Sequence, residues 1–133
     1  MEGKPAIWVI ASKRTGKRVH EIFNEARLIN PIKVIETHTE LSSALHPGYP
    51  PPRLVLLDVS LPHGVSWDAL KSLGERKLES RIIALVDGES ETLLDRAYEG
   101  GIKTYLRKDF TFTDFLDRAR ALDLLFVVGR DQR

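Results

Sequence analysis

Two rhythms of apolar and polar positions run along this chain. Runs that are apolar on both faces occur at Ala6-Ile7-Trp8-Val9-Ile10-Ala11, at Leu54-Val55-Leu56-Leu57 and at Ile82-Ile83-Ala84-Leu85-Val86. Short runs of this kind, closed by turn residues, predict strands buried on both sides. Ile32-Lys33-Val34-Ile35-Glu36 and Thr104-Tyr105-Leu106-Arg107-Lys108 also read as strands, but they carry charge. Between the runs, apolar residues return at helical spacing: Val19, Ile22, Phe23, Ala26 and Ile29, then Leu41, Ala44 and Leu45 in a short helix over 38–46. A third helix is predicted over 65–78, with Ser66 as its cap and Trp67, Leu70 and Leu73 inward. Gly74 weakens it by about 1 kcal/mol relative to alanine and is a candidate stop. Leu93, Leu94, Ala97 and Tyr98 mark a fourth helix, started by Ser90 and Glu91 and ended by Gly100-Gly101. Thr111 with Asp114 has capping-box spacing and opens a last helix with the stripe Phe112, Phe115, Leu116, Ala119, Leu122 and Phe126.

The pattern is five β–α repeats with short connections. Strict alternation predicts a parallel sheet with helices on both faces. The nearly all-apolar strands belong in the centre and the two charged ones at the edges. That gives the order 2-1-3-4-5, the flavodoxin-like α/β arrangement, whose switch point lies between strands 1 and 3. Ala11-Ser12, Asp58, Val86-Asp87 and Lys108 then meet at the carboxyl ends of the strands. Asp58 closes the most apolar run and is followed at once by a Pro62-His63-Gly64 turn, so its carboxylate stands where open α/β sheets place their chemistry.

The 133 residues form one domain, with a core over about 6–122 and an apolar extension over 123–133. A composition that is 42% hydrophobic and 29% charged argues against both disorder and a membrane protein. No run approaches a spanning length, no signal-peptide pattern opens the chain, and there is no cysteine to make a disulfide or thiolate site; a cytoplasmic protein is the expectation. The net charge of +1 makes no case for nucleic acid. Locally, Lys4, Lys13, Arg14, Lys17 and Arg18 fall in a stretch without an acid, and residues 12–18 read as a basic loop.

The chain resembles the receiver domain of bacterial two-component response regulators, from about Ile7 to Leu122. Residues 54–62 look like the segment around that family's phosphoacceptor aspartate. Ala97-Tyr98-Glu99-Gly100-Gly101 looks like its fourth helix and glycine turn, and Tyr105-Leu106-Arg107-Lys108-Asp109-Phe110 like its fifth strand with its lysine. The resemblance implies that Asp58 is the phosphoacceptor equivalent, Lys108 the family's lysine, and Val86 and Tyr105 the switch positions. It implies a signalling module, not an enzyme, whose partners are a kinase, an output domain or another signalling protein. The face of helix 4, strand 5 and helix 5, with the apolar tail Leu124, Leu125, Val127 and Val128, is a candidate dimer surface.

The departures from that family are specific. Its two metal-binding acids at the end of strand 1 are Ala11 and Ser12 here, followed by Lys13 and Arg14. Mg²⁺ needs carboxylates and waters in octahedral geometry, so its binding is expected to be weak or absent. A Lys13 ammonium ~4 Å from the cation site would add ~4 kcal/mol of repulsion at an effective dielectric near 20. The strand-4 hydroxyl is Val86, which cannot donate a hydrogen bond. The expectation is a pseudo-receiver whose Asp58 and Lys108 form a structural ion pair, with Lys13 or Arg14 standing in for the missing cation. One alternative is a competent receiver, phosphorylated at Asp58 by a histidine kinase. Another is a nucleotide- or phosphate-binding protein in which Lys13, Arg14 and Lys17 contact the anion, although Ala11 and Arg18 break the phosphate-loop motif. His20, His38, His46 and His63 lack metal-ligand spacing, and His63 reads as a turn residue.

Overall fold

A computed structural model of the chain describes residues 6–28, 30–88 and 91–121. Among these residues five strands and five α-helices alternate: β1 (Ile7–Ile10), α1 (Lys13–Glu25), β2 (Ile32–Ile35), α2 (His38–Ala44), β3 (Leu54–Asp58), α3 (Val65–Glu75), β4 (Ile82–Val86), α4 (Glu91–Glu99), β5 (Thr104–Arg107) and α5 (Phe112–Ala121). A 3₁₀ turn, Glu79–Arg81, leads into β4. Every pairing is parallel and the order is β2-β1-β3-β4-β5, as predicted. No helix among the described residues is long and apolar enough to cross a membrane.

Period-two alternation divides the core between the two faces of the sheet. Trp8, Ile10, Val55, Leu57 and Ala84 face α2, α3 and α4, where Leu41, Ala69, Leu70, Leu73 and Ala97 meet them. Ile7, Val9, Leu54, Leu56, Ile83 and Leu85 face α1 and α5 and pack on Val19, Phe23, Phe115 and Ala119. All five residues of β3 and of β4 are buried, which is what continuous apolar runs in a doubly covered sheet require. At the edges only Ile35 of β2 and Leu106 of β5 are buried.

Three local expectations are corrected. The basic stretch is not a loop: α1 begins at Lys13, with the Ser12 hydroxyl accepting a hydrogen bond from the Thr15 N–H at 3.2 Å. Gly16 is helical there because a Cβ would stand 2.6 Å from Cγ1 of Val34, so the glycine lets α1 close on β2. Ser66 does not cap α3. Gly64, at φ +73°, occupies the cap position, and Ser66, two residues on in the first turn, is fully buried. Trp67 packs against the core as a partly buried residue beside the fully buried Ala69, and its outer face lies under the Arg96 guanidinium, 4.3 Å from the ring centroid.

Gly74 does not stop α3 either. The helix runs one residue further and closes through Lys77 at φ +61°, whose geometry lets Leu78 N–H reach the Leu73 carbonyl at 2.9 Å. Leu78 thereby returns to the core outside the helix. The predicted capping box of α5 forms: Thr111 N–H donates to Asp114 at 3.0 Å and Asp114 N–H to the Thr111 hydroxyl at 3.1 Å. The backbone bond from Thr111, then the side-chain one, holds the Asp114 carboxyl below its ordinary value. Ile29, Ser90, Leu122, Phe126 and the apolar tail lie outside the described residues.

Candidate functional site

Asp58 is the last residue of β3, and burial of the strand carries its carboxylate to the top of the sheet with a side chain 3% exposed. An ionised group so buried must be paired and hydrogen-bonded. Both oxygens are. One oxygen, Oδ1, accepts from the Ser60 N–H at 2.8 Å and from the Ser60 hydroxyl at 2.7 Å. The other, Oδ2, meets Lys108 Nζ at 3.0 Å. Lys108 Nζ also donates to the Ser60 hydroxyl oxygen at 3.2 Å, closing a three-membered network. The loop beneath is tied by Ser66, whose hydroxyl donates to the Asp58 carbonyl at 2.6 Å and accepts from Leu61 N–H at 2.9 Å.

Lys108 is set by the ladder end: its N–H donates to the Val86 carbonyl at 2.9 Å, immediately after β5. Its own carbonyl accepts from Arg18 Nε at 3.2 Å, which joins α1 to the β5–α5 turn. Val86 is buried and brings a methyl surface to the end of β4, at the position where the resembled family has a hydroxyl. Tyr105 lies on the edge strand, 37% exposed. His63, exposed and at φ +60°, is a turn residue.

The residues at the end of β1 supply no carboxylate for a divalent cation. Ala11 is fully buried and has no donor atom on its side chain. The Ser12 hydroxyl is committed to the α1 cap. Asp58 is thus the single carboxylate offered from the ends of β1 and β3, and its oxygens are already engaged. Among the described residues no group of three His, Asp or Glu side chains comes together as a metal site.

The expected stand-in cations are corrected as well. Among the described residues the ion-pair partner of Asp58 is Lys108, not Lys13 or Arg14. Lys13 sits on the β2 side, its N–H 3.4 Å from a Glu36 carboxylate oxygen and its side chain beside Gly16, His20 and Val34. Arg14 and Lys17 line a cleft of about 790 Å³ between α1 and the turns after β4 and β5, and Lys17 also borders the hollow beside Lys13. Arg18, Arg107 and Lys108 join them in the cleft. The Lys17 phosphate-loop geometry is absent, since Lys17 is in the second turn of a helix.

Sequence reasoning missed Ser60 and Ser66. Asp58-Val59-Ser60 is the spacing at which an aspartate side chain takes the backbone N–H two residues on, so the Ser60 contact had a local signal. The Ser66 bridge had none. Arg107 and Arg18 were visible as charges, but their meeting depends on tertiary structure.

No protein-family model matches the chain, and no curated protein sequence matches it. Solved structures do. The bacteriophytochrome response regulator AtBRR is 24% identical, with a TM-score of 0.79 over 98% of this chain and 100% of its own. The bacteriophytochrome response regulator RtBRR is 20% identical, with a TM-score of 0.76 over 99% of this chain and 85% of that one. The Mn²⁺-bound form of response regulator Rcp1 is 18% identical, with a TM-score of 0.66 over 96% and 99%. The chain has the response-regulator receiver fold, a five-stranded flavodoxin-like sheet with helices on both faces.

Proposed function

We propose that this chain is a receiver-type signalling module that works by protein–protein contact, and that its crevice is no longer built for cation-assisted phosphoryl transfer. It is a binding module, not an enzyme. The observation that carries this reading is the donor set at the end of β1: a buried alanine and a serine spent on a helix cap, facing one aspartate. Phosphoryl transfer to a carboxylate depends on neutralising charge and fixing geometry, which a second and third carboxylate would do through a cation. Here Lys108 neutralises Asp58 directly.

The contact face on this reading is the α4–β5 side. Tyr98 and Tyr105 expose 47% and 37% of their surface there. Arg118 of α5 donates to the Tyr105 carbonyl at 3.0 Å and holds the edge strand in place for docking. The partner is a kinase, an output domain or another signalling protein, or a second copy of the chain.

Incubation with a small-molecule phosphodonor and Mg²⁺ tests the reading. The expected intact mass is unchanged. A gain of one phosphoryl group, abolished by Asp58→Asn, would establish a competent phosphoacceptor instead, the second reading that the retained Asp58–Lys108 pair favours.

A further inference from the structure

The cleft beside the Asp58 network has a charge that the receiver reading does not use. Arg14, Lys17 and Arg18 stand at i, i+3 and i+4 of α1 and so share one helix face. That face looks onto Arg107 and Lys108 at the end of β5, across a cleft of about 790 Å³, within the range of small-molecule sites. Five cations from two separate segments therefore surround one concavity.

Three carboxylates, Glu21, Asp87 and Asp109, line the cleft against the five cations, and Asp109 is already 3.7 Å from Arg107 Nε. Lys108 is spent on Asp58, and Arg18 Nε on the Lys108 carbonyl. Arg14 and Lys17 have no ion pair among the described residues, and Arg18 keeps its terminal guanidinium nitrogens for a further acceptor. Cations held together in a concavity by the fold repel one another until an anion joins them.

We infer that this cleft is a binding site for a small polyphosphate-bearing ligand, held by Arg14, Lys17, Arg18 and Arg107. A chain of phosphates suits it better than a single one, because the cations are spread over a helix face and a strand end instead of converging on one point. Arginine forks take phosphate oxygens in pairs, which gives such a site geometric preference as well as charge. The site needs neither a cation at Asp58 nor its phosphorylation, so it stands apart from the reading above: either can fail without the other.

The test is an amide NMR titration of the full chain with orthophosphate, inorganic triphosphate and ATP, each at the same ionic strength so that screening is constant. The expected result is saturable shifts in α1 and around Arg107 with triphosphate and with ATP, and much weaker ones with orthophosphate. Equal affinity for triphosphate and ATP identifies the phosphate chain as what is read; tighter ATP binding adds the nucleoside. Arg14→Ala with Arg107→Ala should weaken triphosphate about tenfold or more, the loss expected for charge-assisted bonds. Lys71→Ala with Lys103→Ala, an equal charge change at exposed positions away from the cleft, should leave it unchanged. Non-saturating shifts spread over the surface lysines, or an arginine double variant that binds as well as the lysine double variant, would overturn the assignment.

Discussion

Phe23→Ala should cost about 4 kcal/mol of unfolding free energy, the usual loss for a buried phenylalanine. The ring is fully buried and sits where two helices meet the sheet. It packs on Phe115 of α5 at 4.7 Å between centroids, on Phe112 at 6.0 Å edge-on, and on Phe110 of the preceding turn at 6.4 Å. Truncation removes the ring's own burial and leaves three aromatic neighbours around a hole. Phe23→Leu keeps most of the volume and should cost about 1.5 kcal/mol. Since α1 and the β5–α5 turn carry the basic cleft, the alanine variant should also weaken triphosphate binding. Denaturant titration with an unchanged slope is the measurement. A loss below about 1.5 kcal/mol for the alanine variant would mean that α5 re-packs without Phe23.

Lys108→Met should cost about 3 kcal/mol, in the range for orphaning one member of a buried pair. The two partners are not equivalent. The Asp58 side chain is 3% exposed and the Lys108 side chain 22%. Removing the ammonium strands a buried carboxylate with Ser60 alone. Removing the carboxylate charge leaves a lysine that can turn to water, so Asp58→Asn should cost only about 1 kcal/mol. The double variant should cost clearly less than the two losses together, because the carboxylate that Lys108→Met strands is then gone. Strict additivity would show that Ser60 and the backbone hold Asp58 and that Lys108 contributes nothing to it.

The architecture was legible because its signals are local and agree. Runs such as Leu54-Val55-Leu56-Leu57 can only be strands covered on both faces, and the charged runs at Lys33 and Arg107 can only be edges. Asp58 and Lys108 were found as a pair through the family resemblance; nothing in a separation of 50 positions announces it otherwise. The start of α1 was illegible for a physical reason. Gly16 among four cations looks like a loop, and its actual cause, the approach of Val34 from the neighbouring strand, is tertiary. Ser66 had the chemistry of a helix cap and the position of one, but the left-handed Gly64 starts the helix earlier and turns the hydroxyl inward. The basic cleft needed the same information, since Arg14 and Arg107 come to one cleft only when β4 and β5 pack beside β3 and α1 lies against β1 and β2.

The central claim is that the crevice at Asp58 no longer responds to a cation or a phosphoryl group. An amide NMR titration with Mg²⁺, followed by beryllofluoride as a phosphoryl mimic, tests it most directly. The account predicts a flat response at Asp58, Ser12 and Val86 up to millimolar Mg²⁺, and no change at Tyr105 when beryllofluoride is added. Shifts centred on Asp58 and spreading through Val86 to Tyr105 would contradict it, and would show a working phosphorylation switch.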